Sequence, residues 1–354
     1  MPPSLLPIAD PIPSPAPDRY SRQTLFPGIG LAGQALLAHA RVTIIGVGAT
    51  GAATASLLAR AGVGHLTLID RDVVEYSNLQ RQILFEEADA QDATPKAEAA
   101  RHHLALINSS IQVQAVIADL VPANIAALLA NAHLLLDCTD NFETRYLLND
   151  YAIQNSIPWI YAAAVGSYAA TMNILPNHTA CLACIFPAPP SGPVDTCDTA
   201  GILSTAVNLA ASLQTTEALK FLTHQPALMR RTLVSYDLWT ARHTAISTAR
   251  PNPECEVCAQ RIFRHLAGQH RPQITLCGRN AVQIHERNRP LDLTILHASL
   301  AAHPDITDVR SNPLLLRFQR GPHTVTIFPD GRALIQGTTD PVIARSLYAR
   351  FIGS

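Results

Sequence analysis

Two cysteine pairs of identical spacing occupy the second half of the chain, Cys181 with Cys184 and Cys255 with Cys258. Four thiolates close a tetrahedral shell around Zn²⁺ and leave no position for water, so a metal held this way is structural rather than catalytic. The pairs are too far apart for a local finger and need a fold that brings them together; two redox dithiols are the alternative reading. A second group sits earlier. Gly46, Gly48 and Gly51 form a Gly-x-Gly-x-x-Gly run between an apolar β-type segment and a helical one, where small residues let phosphates approach backbone amides at a positive helix end. Asp70 ends the next apolar segment, where a carboxylate can accept hydrogen bonds from ribose hydroxyls. This pairing points to a nucleotide without separating NAD from ATP.

The following residues shift that balance. Arg71 to Gln82 is a polar loop that contains Asn78 and Arg81, and Lys96 follows Pro95. Two cations, Arg81 and Lys96, suit neutralising a triphosphate rather than receiving a hydride. Asp140 lies just past the apolar run 134–137, where ligands of open α/β sheets sit, and offers a hard oxygen for Mg²⁺. Cys197 stands apart from the paired cysteines, before a helix expected to begin near Thr199. A helix N-terminus lowers a thiol pKa, which makes Cys197 a candidate nucleophile, with an inert loop cysteine as the alternative. Cys138 and Cys277 fall in apolar runs and read as packing residues. Trp159 and Trp239 read as core or interface anchors.

These residues need a scaffold, and the pattern around them supplies one. Apolar β-rich runs at 42–45, 66–69, 111–117, 134–137 and 159–163 alternate with helical patterns at 50–61, 96–107, 123–130 and 143–154. That is the rhythm of a doubly wound, mainly parallel sheet. From residue 169 the rhythm changes: a strand to 175, a Pro- and Cys-rich crossover, a long helix over 199–222 and two strands at 232–236 and 244–247 predict an antiparallel extension. A small C-terminal α/β unit with about five strands and two helices is expected over 269–354. Seven prolines in the first 17 residues predict a disordered arm at 1–17, leaving 18–268 as the nucleotide-binding domain with the four-cysteine zinc site.

The chain's 26 Lys and Arg against 27 Asp and Glu give a net charge of −1, which provides no field for nucleic acid or an anionic membrane. No basic segment leads into an apolar run at the N-terminus, and no run reaches the ~18 apolar residues of a membrane span. A cytoplasmic protein is expected.

In order along the chain, Arg19-Tyr20-Ser21-Arg22-Gln23, the glycine run, Ala61-Gly62-Val63-Gly64, Ser77 to Gln82, Pro95-Lys96, Asp137 to Asn141, Cys197 to Gly201 and both cysteine pairs resemble the ThiF/MoeB group of ubiquitin-activating-enzyme-like adenylyltransferases. The likeness covers about 18–260, and the C-terminal unit is similar to the extension of longer ThiF-type members. It implies a Rossmann-like fold in which Asp70 holds the ATP ribose, Asn78, Arg81 and Lys96 hold the phosphates and Asp140 holds Mg²⁺. Arg22 would enter the other subunit's site in a homodimer, and Cys197 would serve acyl or persulfide transfer. The reaction implied joins the C-terminal Gly-Gly carboxylate of a ubiquitin-like sulfur carrier, ThiS-like or MoaD-like, to AMP for thiamine thiazole or molybdopterin synthesis. A sulfurtransferase or cysteine desulfurase would be a further partner. Rival readings are a tRNA-carboxylate-activating member of the same superfamily, an NAD-dependent oxidoreductase and a non-catalytic scaffold. Carboxylate and α-phosphate are both anions, so such an enzyme's task is neutralisation and alignment rather than proton transfer.

Overall fold

The computed structural model describes residues 19–188, 200–268, 275–276, 281–284 and 291–352. The chain divides into two compact units, one running to Gln269 and the other from His270 onward. The first unit opens with α1 (Ser21–Thr24) and α2 (Gly30–His39), followed by β1 (Arg41–Ile45), α3 (Ala49–Ala61) and β2 (His65–Asp70). Then come α4 (Glu87–Gln91), α5 (Lys96–Ile107), β3 (Gln112–Ile117), α6 (Ile125–Leu129), β4 (Leu134–Asp137) and α7 (Phe142–Gln154). It closes with β5 (Trp159–Val165), β6 (Tyr168–Ile174), α8 (Leu182–Ile185), α9 (Ser204–Leu222), β7 (Thr232–Asp237) and β8 (Arg242–Ser247).

These strands form one eight-stranded sheet in the order β3-β2-β1-β4-β5-β6-β7-β8. The first five are parallel and the last three antiparallel. Alternation along each strand builds two cores. Val42 and Ile44 of β1, with Leu66, Leu68, Leu134 and Leu136, pack beneath Ala52, Ala55 and Leu58 of α3 and Ala97, Ala100 and Leu104 of α5. Ile45, Ile69, Leu135 and Trp159 point the other way and pack with Ile125 and Leu129 of α6 and Leu147, Leu148 and Tyr151 of α7. The period-two pattern therefore covers both faces with helices, as a buried parallel sheet requires.

In the second unit, β9 (Thr275–Leu276), β10 (Ala281–Ile284), α10 (Leu293–Ala301), β11 (Thr307–Asn312), β12 (Leu315–Arg320), β13 (His323–Ile327), β14 (Ala333–Gln336) and α11 (Pro341–Phe351) form an antiparallel sheet of order β11-β12-β13-β14-β10-β9 with two helices. Its own core joins Val282, Leu316, Phe318, Ile327 and Ile335 to Leu300 of α10 and Leu347 and Phe351 of α11.

Three departures from the sequence reading have physical causes. α9 begins at Ser204, not near Thr199, because the residues just before it pair instead: Gly166 and Ile202 form a β-bridge, and Leu203 donates its amide to Gly166. Trp239 is not a core residue; it stands 80% exposed in the turn between β7 and β8, whereas Trp159 is fully buried. β11 carries no apolar alternation, being almost wholly polar and exposed, so its pairing with β12 left no hydrophobic signal. The proline-rich arm over 1–17 and Cys277 lie outside the described residues.

Candidate active site

β1 turns back to β2 on one side and has β4 on the other, so the chain paths diverge at the carboxyl ends of β1 and β4 and open the crevice where doubly wound sheets bind ligands. The glycine run lies there. Gly46 adopts φ +84°, and a Cβ on it would sit 2.8 Å from the Cys138 carbonyl oxygen; a Cβ on Gly51 would collide with the Gly46 carbonyl oxygen. Gly46 is thus fixed by the backbone just past β4 and Gly51 by the loop's own backbone at Gly46. Gly48 differs: a Cβ there would meet only Gln82 Nε2, at 3.8 Å, so that side of the loop is open. No side chain caps the first turn of α3, leaving its amides available to an anion.

Asp70 is buried and spends one hydrogen bond per carboxylate oxygen on the loop's surroundings, accepting from the Val47 amide at 2.6 Å and the Asp72 amide at 2.7 Å. Burial pushes its carboxyl up, against the opposing charge of Lys96. In this structure Asp70 therefore ties the glycine loop to β2, with lone pairs left over for a further donor. Lys96, in the first turn of α5, is almost fully buried and places Nζ 3.2 Å from Asp72 Oδ2. Asn78 is buried, accepting from the Glu75 amide at 3.1 Å. Arg81 donates Nη1 to the Ser77 carbonyl at 2.9 Å and has no carboxylate partner among the described residues. Gln82 beside it is buried, with its Oε1 lacking a hydrogen-bond partner.

On the opposite wall Asp140 is exposed and makes no hydrogen bond or ion pair among the described residues. It sits within the electrostatic reach of Arg71 and Arg145, raising the pKa of each. Beneath it, buried Arg145 places Nε 3.2 Å from Asp137 Oδ2 and donates Nη2 to the carbonyls of Thr139 at 2.6 Å and Ala162 at 3.2 Å. Its guanidinium also covers the Tyr161 ring at 4.9 Å. Burial raises the Asp137 carboxyl, with Arg145 opposing. Asp72, Arg145 and Asp137 were not singled out from sequence. Asp72 could have been found as the carboxylate two residues past Asp70, and Arg145, like Lys96, as a cation in the first turn of a predicted helix.

Arg22 does not join this group. Its helix α1 is pinned at the far end of α3, where Gln23 Nε2 donates to the Ala61 carbonyl at 2.8 Å and Gln34 Oε1 at 2.6 Å, and where Asn108 Nδ2 bonds both Tyr20 Oη and the Ala59 carbonyl. The 13 residues of α3 separate that end from Gly48, about 20 Å at 1.5 Å per residue. Arg22 is exposed there. Cys197 lies outside the described residues. The helix that follows it begins at Ser204 rather than near Thr199.

The four paired cysteines do meet. Sγ–Sγ separations are 3.7 Å for Cys181–Cys184, 3.6 Å for Cys181–Cys255 and 3.4 Å for Cys184–Cys258, and all four sulfurs lie within 4.8 Å of one another. A tetrahedral ion with metal–sulfur bonds of about 2.3 Å needs sulfurs about 3.8 Å apart, so the cluster fits a metal with slight relaxation. Hydrogen bonding from the Cys181 and Cys258 thiols and the Asn252 amide pulls the Cys184 thiol down, towards the thiolate a metal takes. Asn149 of α7 braces the first knuckle through the Leu182 amide at 3.0 Å, and Asp150 Oδ2 accepts from the His265 and Leu266 amides beyond the second.

A doubly wound sheet with a glycine loop at its switch point, and a separate four-cysteine cluster that could hold a metal, defines the class of Rossmann-like α/β proteins. The sequence pattern of the ThiF family matches residues 20–257, and the chain belongs to that family. It is 42% identical over 338 residues to the sulfur carrier protein ThiS adenylyltransferase of Bacillus subtilis (strain 168), covering 95% of this chain and 99% of that one. It is 38% identical over 243 residues to the molybdopterin-synthase adenylyltransferase of Escherichia coli (strain K12), covering 68% of this chain and 96% of that one. Among solved structures, E. coli MccB with ATP superposes with a TM-score of 0.60 at 24% identity over 68% of this chain and 75% of that one, a likeness of fold.

Proposed function

We propose that this protein is an ATP-dependent adenylyltransferase that activates the C-terminal carboxylate of a ubiquitin-like sulfur carrier. What supports the reading is the open glycine loop at the β1–β4 switch point, the exposed Asp140 just past β4, and Arg81, which has no carboxylate partner among the described residues and lies next to Gln82, the residue that faces Gly48; groups of this kind neutralise and align anions. A carboxylate oxygen of the carrier attacks the α-phosphorus of ATP, the bond from that phosphorus to the bridging oxygen breaks, and pyrophosphate leaves. The first-turn amides of α3, Asn78, Arg81 and Lys96 bind the phosphates and offset the charge that gathers during attack, while Asp70 orients the ribose. Mg²⁺ on Asp140 would supply further charge to the phosphate chain. Arg145 holds the Thr139 carbonyl and so the turn that presents Asp140.

The carrier is ThiS-like on this reading. Likeness to the ThiS adenylyltransferase runs through the second unit, whereas likeness to the molybdopterin-synthase adenylyltransferase covers only 68% of the chain. Zinc in the four-cysteine cluster is structural, and the working form is a cytoplasmic homodimer in which Arg22 reaches the neighbouring site. That dimer reading is supported by the distance of α1 from its own glycine loop. Cys197 takes part after adenylation, in sulfur transfer with a sulfurtransferase or cysteine desulfurase. Carrier-dependent ATP–pyrophosphate exchange, run with a ThiS-like and a MoaD-like carrier, tests the whole proposal: exchange is expected with the first, Mg²⁺ and an intact terminal glycine being required. Exchange with neither carrier would remove the reading.

A further inference from the structure

Gln214, on α9, is fully buried and has every hydrogen-bonding valence of its amide used. Nε2 donates to the Asp137 carbonyl and the Ile160 carbonyl, each at 2.9 Å, so it bonds the ends of the adjacent strands β4 and β5. Oε1 accepts from Thr54 Oγ1 at 3.0 Å and from Cys138 Sγ at 3.1 Å. Thr54 lies on α3, a little under one turn past Gly51; Cys138 opens the turn that ends in Asp140. One side chain thus ties together the two walls of the crevice, the helix behind the glycine loop and the strand end behind the exposed carboxylate.

The two walls already touch. A Cβ on Gly46 would lie 2.8 Å from the Cys138 carbonyl oxygen, and one on Gly51 would lie 3.2 Å from Cys138 Cβ. Nothing between them can absorb a shift, so a change behind Cys138 is passed to the loop and to Asp140 together. Packing alone does not call for an amide here. Leu or Met would fill the same volume but leave the Asp137 and Ile160 carbonyls, Thr54 Oγ1 and Cys138 Sγ without this partner, and an amide that satisfies all four also fixes one geometry for them. Cys138 adds no chemistry of its own, because burial pushes its thiol far above the ordinary range.

We infer that Gln214 is a positioning residue for adenylylation, setting the spacing between the glycine-loop helix and the Asp140 turn so that one Mg²⁺-bound triphosphate meets both walls. The inference rests on the proposed nucleotide and Mg²⁺ site. Its test uses the full-length chain, ATP, Mg²⁺ and a ThiS-type carrier ending in Gly-Gly. In Gln214→Met protein with wild-type metal content and circular dichroism, kcat for pyrophosphate exchange is expected to fall about a hundredfold, as for a misplacement of about 1 Å. The Mg²⁺ concentration for half-maximal exchange should rise about tenfold, while ATP affinity measured without Mg²⁺ stays within about threefold. A purely structural role would lower melting temperature and both affinities in parallel, and that result would overturn the inference, as would an unchanged kcat and Mg²⁺ dependence. Should Gln214→Met fail to fold, Thr54→Val cuts only the α3 arm; it should raise the Mg²⁺ requirement about threefold, and no rise there would equally overturn the inference. Asp140→Asn run alongside separates the two levels. If that protein keeps wild-type Mg²⁺ dependence, the assignment of Asp140 is wrong and Gln214 falls with it; if Asp140→Asn shifts and Gln214→Met does not, only the role of Gln214 is lost.

Discussion

Lys96 Nζ lies 3.2 Å from Asp72 Oδ2, with the lysine side chain 2% exposed and the aspartate 15%. A cation this well sealed is preoriented, since its partner and the α5 backbone hold it: the Lys96 amide donates to the Asp72 carbonyl at 2.8 Å. On the proposed function the pair would meet the phosphate chain, with Asp72 neutralising the ammonium in the free protein.

Removing Lys96 should therefore hurt chemistry more than folding, and removing Asp72 the reverse. Lys96→Ala is expected to lower pyrophosphate exchange by about a hundredfold, the effect of one preorganised charge worth about 3 kcal/mol. Asp72→Ala removes the hydrogen-bonded counter-ion of a buried ammonium, leaving Asp70 as its nearby charge, and should cost about 2 kcal/mol of stability. The double variant should be more stable than Asp72→Ala alone. Denaturant titration of the three proteins checks this, and a double variant that is the least stable of them would show that the pair is not coupled.

Arg22 gives a sharper test of assembly. It belongs to a helix anchored at the far end of α3, so a role in adenylylation requires a second subunit. Arg22→Ala and Asp140→Ala should each abolish most exchange. Mixed after subunit exchange, they should recover about a quarter of wild-type activity, because half of the dimers are mixed and each of those holds one intact site. No recovery from a mixture shown to exchange subunits would place Arg22 outside the partner's site.

The four-cysteine cluster should bind about one zinc per chain. Cys181, fully buried and within 3.7 Å of two other sulfurs, is the ligand whose loss matters most. Cys181→Ser should release the metal and lower the melting temperature by about ten degrees or more, on the order of several kcal/mol for a structural site. Exchange measured in the fraction that stays folded should change little, because the cluster holds α8 and the loop after β8 and contributes no group to the crevice. Elemental analysis finding no zinc in fully active protein would sink this assignment.

Much of this was legible in the sequence where the signal is local. The glycine run, Asp70 and the cysteine spacing mark positions whose chemistry depends on neighbours a few residues away, and the β1 to β5 alternation follows from burial on both faces. Legibility failed where a partner is distant. The place of Arg145 in a first helical turn hints at Asp137, but nothing near it announces the Ala162 carbonyl, and nothing near Gln214 announces Thr54, because those contacts exist only after the sheet has formed. The start of α9 was misplaced for the same reason: Ile202 is claimed by a bridge to Gly166, a tertiary pairing that overrides helix propensity.

Asp150 supplies a pH-dependent handle. It accepts from the His265 and Leu266 amides, yet burial pushes its carboxyl up to about 6. A carboxyl with a folded pKa above its unfolded value near 4 binds more protons in the native state, so its contribution to stability falls as pH rises from about 4 to 6 and is then constant. Asp150→Asn keeps the accepting oxygen and removes the charge. The variant should match wild type near pH 4.5 and exceed it above pH 6.5, by about 1 to 2 kcal/mol after allowing for partial solvent screening. Melting curves at the two pH values decide it; a difference independent of pH would mean that Asp150 is already neutral, or already well solvated, across the range.

The last prediction concerns the second unit. Its hydrophobic cluster is built from residues between Val282 and Phe351, whereas both cores of the larger sheet, all four paired cysteines and every group of the crevice lie before Gly268. Each unit thus buries its own apolar set, the condition for folding alone. A chain ending at residue 268 is expected to fold, keep its metal and catalyse pyrophosphate exchange within a few fold of wild type at saturating carrier. The second unit carries no glycine-rich phosphate loop and no metal-ligand cluster among the described residues, so what it adds should be recognition: the truncated protein should need a higher carrier concentration for half-maximal exchange, or lose affinity for the sulfur-transfer partner. If the unit instead shields an apolar face, the truncation should aggregate, which size-exclusion chromatography would reveal. A soluble, well-folded truncation with no exchange at any carrier concentration would move the catalytic boundary into the second unit.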